Sequence, residues 1–483
     1  MSVELSFTLS SDSPTLLDKA DTLVIVGRQG RLLSNQVLAL VPDAELWRAM
    51  LTDLSPGDEG STHSTWVRLN TIAKQLVACV LPEPCSRYNS PARPHAISDL
   101  VKNVYGKGTT SILLALDEDA HSFAAGCALA RTLPVYSRKE NGKDREVVVA
   151  LLGPNGLVDP TRADLAASII RNVGALVDMP TNELNTTVFV DRARKLAESL
   201  GAQITVIEGE ALDQAGYGGL WNVGKTAPNP PALVVLSHIP AGASGEPIVW
   251  VGKGVVYDTG GLSLKERAHM VGMKCDMGGA AAAFGAFEAA VRSNHKAPVH
   301  AILCLAENSI GPEALRPDDV ITLYSGKTVE INNTDAEGRL VLGDGVAYAA
   351  KHLSPSVIVD LATLTGAQLV ATGKRHAAIM SNDEALEARA VAAGKSSGDL
   401  THALPYCPEF FRSEFRSKVA DMKNSVKDRM NAQASCAGQF VANHLVDYEG
   451  PWLHIDLAGP AFVDERGTGY GVALLMDLFD IGI

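Results

Sequence analysis

The chain has 483 residues, 46% hydrophobic and 20% charged, with a formal net charge of -13; this is a globular profile with material for two domains. The acidic balance weighs against nucleic-acid and anionic-membrane surfaces, which need basic charge, and no stretch nears the ~18 uninterrupted apolar residues of a membrane span. The start, Met-Ser-Val-Glu-Leu-Ser-Phe, lacks the flank and apolar run of a secretory signal, so a soluble cytoplasmic enzyme is the expectation.

Up to about residue 160, apolar runs at Thr22 to Gly27, Ser111 to Asp117 and Glu146 to Gly153 alternate with polar loops and helix-like stretches. That alternation predicts a small α/β domain. Thr161 to Val177 is apolar at helical spacing and is stopped by Pro180, so it reads as the connector. The domains are set at 1–165 and 166–483. Beyond the connector, Ile204 to Ile207, Ala232 to Leu236, Ile248 to Val251, Val299 to Ala306 and Val357 to Leu361 read as strands buried on both faces of a sheet. Helix formers, Val188 to Leu200 and the Ala-rich Gly278 to Val291, lie between them. The expected fold class is α/β: a smaller N-terminal domain, and a larger C-terminal one with a mainly parallel sheet flanked by helices. Ligands gather at strand ends in such sheets, and Lys253, Asp258 and Asp335 are placed there.

The octet Asn332-Asn-Thr-Asp-Ala-Glu-Gly-Arg339 carries the chemistry. If it is extended, Asp335 and Glu337 share a face, and two such anions repel unless a cation lies between them. Lys253, Asp258, Lys265 and Asp276 in the Gly-rich stretch upstream can complete a metal cluster. Other motifs fail on their own terms. Val251-Gly-Lys-Gly opens like a dinucleotide fingerprint, but Tyr257 holds the third glycine position. Gly261-Leu-Ser-Leu-Lys265 lacks the closing glycine of a serine nucleophile turn. The twelve histidines do not cluster at ligand spacing, and the seven cysteines form no Cys-x-x-Cys pair. Any single Asp or Lys here is more often a solvated or capping residue; only the joint order and spacing argue otherwise.

Lys253-Gly-x-x-x-Asp258-x-Gly-Gly-x-Ser-x-Lys265, Asp276-Met-Gly-Gly and Asn333-Thr-Asp-Ala-Glu337-Gly-Arg339-Leu resemble successive motifs of the dizinc leucyl aminopeptidases, also called cytosol aminopeptidases. The resemblance covers roughly residues 170 to 480. It extends to Asp360-Leu-Ala-Thr-Leu-Thr-Gly-Ala, Ala420-Asp-Met-Lys-Asn and Trp452-x-His-x-Asp-Leu-Ala-Gly.

The resemblance implies two Zn2+ per subunit. Asp258, Asp335 and Glu337 would hold the looser site, open also to Mn2+, Co2+ or Mg2+; Lys253, Asp258, Asp276 and Glu337 would hold the tighter one. Lys253 would coordinate as a neutral amine. It further implies that Lys265 steadies the oxyanion, that Arg339 holds a bicarbonate ion that shuttles a proton, and that a metal-bridging hydroxide attacks the carbonyl. Met273, Asn333, Thr363, Leu364, Gly366, Ala458 and Ala461 match substrate-binding positions. The implied partners are peptides with a free N-terminus, leucine or another apolar residue first, and further copies of the chain in a homohexamer assembled through the N-terminal domain. An inactive or nucleic-acid-binding scaffold on the same fold is the alternative; the intact ligand set and the acidic charge speak against it.

Overall fold

The computed structural model describes residues 3–7, 20–69, 72–102, 104, 108–140 and 145–483. The chain forms two units. One runs to Asn172 and takes in Ala393–Leu400; the other comprises Val173–Ala392 and Thr401–Gly482. Helix Thr161–Asp178 contains the point of division.

In the first unit, strands β1 (Val3–Phe7), β2 (Thr22–Gly27), β3 (Ser61–Leu69), β4 (Ile72–Val80), β5 (Thr110–Ala115) and β6 (Arg145–Gly153) lie in the order β1-β6-β5-β2-β4-β3. Pairing is parallel except between β3 and β4. The continuous apolar run of β2 follows from cover on both faces: Leu23 and Ile25 pack with Trp47 of helix Ala44–Thr52, while Val24 and Val26 pack with Ile97 and Leu129 from helices Pro94–Val101 and Ser122–Thr132.

The second unit holds β7 (Gln203–Glu208), β8 (Ala232–His238), β9 (Ile248–Asp258), β10 (Val299–Asn308), β11 (Val357–Ala362), β12 (Ala377–Ser381), β13 (Thr401–Ala403) and β14 (Trp452–Asp456). Their order is β13-β12-β14-β11-β9-β10-β8-β7. The centre, β14-β11-β9-β10, is parallel, and β7, β8 and β12 add antiparallel pairs. β7 departs from the expected strand buried on both faces: it is an edge strand none of whose residues is fully buried. Its β-branched residues reflect strand propensity rather than double burial.

β9 also runs on to Asp258, which places Lys253 inside the strand and not at its end. Two helices, α1 (Gly278–Arg292) and α2 (Gly338–His352), cover its two faces at close range. A Cβ on Gly252 would fall 2.4 Å from Ala280 Cα, and one on Gly345 would fall 2.6 Å from Val251 Cγ1, so glycine and alanine are what allow helix and strand to meet. Among the described residues no helix is long and apolar enough to cross a membrane.

A polar column interrupts this core. Asp360 of β11 stands opposite His454 of β14, pairs with its Nδ1 and accepts from Trp452 Nε1 at 2.8 Å, all three side chains fully buried. Burial by itself lowers the His454 pKa, but the Asp360 carboxylate outweighs it and the net shift is upward. A raised folded-state pKa gives stability that is complete below the unfolded value of 6.5 and is lost as pH rises through the folded value. His454→Ala should therefore cost ~3–5 kcal/mol by stranding Asp360, and should flatten the decline in unfolding temperature above neutral pH. A variant with an unchanged melting profile from acid to alkaline pH would show the pair to be inert.

Candidate active site

β9 delivers Lys253 and Asp258, both buried. The chain then reverses through Gly260 (φ 84) and Gly261 (φ 63), left-handed positions suited to glycine, while Gly260 N donates to Asp258 Oδ1 at 2.8 Å. The reversal returns Lys265 to the strand end, its Nζ 2.8 Å from Asp258 Oδ2 and 2.5 Å from Asp335 Oδ1. Asp276 follows the 3-10 turn Met273–Cys275, just ahead of α1. Lys253 Nζ lies 2.8 Å from Asp276 Oδ1 and 2.9 Å from Glu337 Oε1, and donates to Thr363 O at 3.2 Å.

The acidic octet is not extended, and Asp335 is not at a strand end. Residues 334 and 335 form a turn, Glu337 takes helical angles (φ -77, ψ -34) and α2 begins at Gly338. The Asn333 side chain explains the difference: its Oδ1 accepts from Asp335 N at 3.0 Å, an Asx turn that competes with strand pairing. The carboxylates converge all the same, with one oxygen each from Asp258, Asp335 and Glu337 within 4.8 Å of one another. Gly338 leaves space for this, since a Cβ there would fall 2.6 Å from Lys253 Nζ.

Four carboxylates thus face two ammonium groups. Burial raises the pKa of Asp276, Asp335 and Glu337, and their anionic neighbours raise them further. Lys253, which burial would push down, is driven up by Asp276, Glu337 and Asp258, and Lys265 likewise by Asp258 and Glu337. Asp276 Oδ2 and Glu337 Oε2 are buried without a hydrogen-bond partner. Unpaired carboxylate oxygens in a crowded anionic cleft suit divalent cations, so the residues fit a metal centre. Beside it, Arg339 donates from Nη1 to Asn424 O at 3.0 Å, while its Nε is buried and unpartnered. Burial lowers its pKa to about 10.

Of the expected pocket residues, Thr363 touches Asp276 directly: its Oγ1 donates to Asp276 Oδ1 at 2.7 Å. A Cβ on Gly278 would sit 3.3 Å from both Thr363 Cγ2 and Ala461 Cβ. Leu364 and Ala458 both donate their backbone N–H to Asp456 Oδ1, Gly366 opens helix α3 (Gly366–Thr372), and Met273 is half-buried in the turn before Asp276. Asn333 differs in kind, for its side chain accepts from Asp335 N within the octet turn and its carbonyl accepts from Asn424 Nδ2.

Two buried asparagines were not singled out by sequence. Asn308 donates to Asp258 Oδ1 at 2.8 Å and to Thr334 O at 3.1 Å, tying β10 to the cluster. Asn424 accepts from the backbone N–H of Asn332 and Asn333 and donates to Asn333 O and Ala336 O. The only signal available was the Ala420-Asp-Met-Lys-Asn motif, which ends on Asn424.

Residues 172–476 match the catalytic domain of the cytosol aminopeptidase family, and residues 21–142 match M17 aminopeptidase N-terminal domain 2. The chain belongs to the cytosol aminopeptidase family, whose members are metal-dependent aminopeptidases. Among its relatives, probable aminopeptidase NPEPL1 of Mus musculus is 49% identical over 90% of this chain and 84% of its own. Leucine aminopeptidase 1 of Caenorhabditis elegans is 42% identical over 95% of each. The structure of leucyl aminopeptidase from Trypanosoma brucei in complex with bestatin superposes with a TM-score of 0.92 at 37% identity, covering 99% of this chain and 96% of that one.

Asn424 holds the octet turn from outside the cluster. Asn424→Ala, which frees the backbone of Asn332, Asn333 and Ala336 on either side of Asp335, should weaken divalent-metal binding about 10-fold, the lower end of what loss of support around a metal site costs. Competition against a fluorescent chelator measures it; wild-type affinity in a folded variant would mean the turn holds without Asn424.

Proposed function

We propose that the protein removes the N-terminal residue from peptides with two divalent cations, Zn2+ in the first instance, held by Lys253, Asp258, Asp276, Asp335 and Glu337. The observation that carries this reading is the pair of buried, unpartnered oxygens, Asp276 Oδ2 and Glu337 Oε2, in a cleft with two further carboxylates. Asp258 and Glu337 would serve both cations, Asp335 the looser site, which would also accept Mn2+, Co2+ or Mg2+, and Lys253 and Asp276 the tighter one. When bound, the cations would supply Lewis-acid chemistry, polarising the scissile carbonyl and lowering the pKa of water.

The chain's own residues do the rest. Lys253 would hold a cation only as a neutral amine, a form its burial favours and its carboxylate neighbours oppose. Lys265, 15% exposed at its side chain, keeps its charge and meets the oxyanion as the carbonyl becomes tetrahedral. Arg339, with an unpaired Nε, holds bicarbonate as the proton carrier. Asp276 is the residue to receive a free α-amine, which makes the enzyme an exopeptidase. Thr363, Leu364, Gly366, Ala458, Ala461 and Met273 surround the first side chain; their small residues favour leucine and other apolar groups. The same reading makes residues 1–165 an assembly domain, 166–483 the catalytic domain, and the working enzyme a cytoplasmic homohexamer. The inactive-scaffold alternative has no observation in its favour.

Three outcomes are expected. Glu337→Ala removes one of the two shared carboxylates and should strip metal from both sites; elemental analysis finding two tightly held ions in it would sink the cluster. Lys265→Ala should lower kcat on the order of 10²–10³, more than it weakens substrate binding, with metal content unchanged. Steady-state kinetics within a few-fold of wild type would make Lys265 structural. Peptides should lose residues one at a time from a free N-terminus, and N-acetylation should abolish turnover; internal cuts seen by mass spectrometry would overturn the exopeptidase assignment.

A further inference from the structure

Asp456 closes β14, is wholly buried and belongs neither to the carboxylate cluster nor to the pocket lining. Its Oδ1 accepts from Leu364 N (3.0 Å), Thr365 N (3.4 Å) and Ala458 N (3.2 Å), and its Oδ2 from Thr365 Oγ1 (2.6 Å). Gln368, equally buried, completes the arrangement. Its backbone N–H donates to Thr365 Oγ1, its Oε1 accepts from Gly459 N at 2.6 Å, and its Nε2 donates to the carbonyls of Gly373 and His376.

Two separate loops therefore hang on these two side chains. One carries Thr363, Leu364 and Gly366; the other carries Ala458 and Ala461. The first loop is fixed at its other end, where Thr363 donates to Asp276 Oδ1 and accepts from Lys253 Nζ. Both loops approach Gly278, where a Cβ would fall 3.3 Å from Thr363 Cγ2 and from Ala461 Cβ. A carboxylate only accepts, so one Asp can hold several donors at a single point; remove it, and three backbone N–H groups must find water or move.

We propose that Asp456, assisted by Gln368, is a positioning residue that sets the width of the pocket for the peptide's first side chain, and hence the choice among N-terminal residues. The proposal rests on the aminopeptidase reading, which supplies the identity of the pocket. Asp456 touches no reacting atom in this account: the loops it fastens form the wall, so its loss changes selectivity before chemistry.

The test uses the full-length, metal-loaded protein with Asp456→Ala and Asp456→Asn, since Asn keeps one acceptor oxygen for the three backbone donors. In Asp456→Ala, amide hydrogen exchange should speed up by about tenfold or more in both 363–368 and 457–461 and stay unchanged across 253–258. The ratio of kcat/KM for leucine over glycine anilides should fall by about tenfold, mostly through KM, with metal content intact. Asp456→Asn should recover most of both effects. Should the alanine variant fail to fold, Thr365→Val, which deletes the hydroxyl's bonds to Asp456 Oδ2 and from Gln368 N but keeps the backbone donors to Asp456, should give the same pattern at smaller size. Faster exchange confined to 457–461, or an unchanged leucine-to-glycine ratio in an active enzyme, overturns the role alone. A wild-type protein that cleaves no aminoacyl anilide overturns the reading of the pocket and this role with it.

Discussion

Asp258, Asp276, Asp335 and Glu337 are crowded into one cleft with Lys253 and Lys265 as their cationic partners, and in a poorly solvated interior such an anionic excess must take up protons or admit further cations. Burial drives three of the carboxylates towards protonation while the same carboxylates drive both lysines towards retaining charge. The two demands conflict, which is a poor design for stability and a good one for holding metal. The rest of the catalytic unit is arranged to keep the groups together despite their repulsion.

That arrangement uses small and neutral residues. Gly338 leaves room for Lys253, Gly260 and Gly261 turn the chain so that Lys265 can reach back, and Ser263 and Thr334 bond to each other across the two loops. Asn308 and Asn424 add donors without adding charge. An aspartate in either place would deepen the anionic excess, and a lysine would compete with the cations. Asp456 works differently, as one buried carboxylate that serves backbone donors from two loops.

The sequence disclosed what periodicity and order can encode. Thr22–Gly27 reads as a strand because all six residues are buried on a covered sheet, and the ligand candidates stand out because their types and spacing are rare together. Gln203–Glu208 reads as a strand for a different reason than expected, since local composition cannot tell an edge from a centre; partners decide that. The octet misleads in conformation because alternation of Asp335 and Glu337 imitates a strand, whereas the Asn333 side chain makes a turn. Asn308 and Asn424 escape notice because a lone asparagine is usually a loop residue, and their partners lie far along the chain. Asp456 hides in the same way: its partners at Leu364 and Thr365 come from a distant loop.

On the proposed reading, the unpaired oxygens of Asp276 and Glu337 are metal ligands. A crystal structure of zinc-soaked protein, with anomalous differences measured on both sides of the zinc edge, tests it most directly. Two peaks are expected, both within bonding distance of Asp258 and Glu337, one also bonded to Asp276 and Lys253 and the other to Asp335. Peaks elsewhere, or a cleft free of zinc in which Asp276 Oδ2 and Glu337 Oε2 accept hydrogen bonds from protein or water, would contradict it.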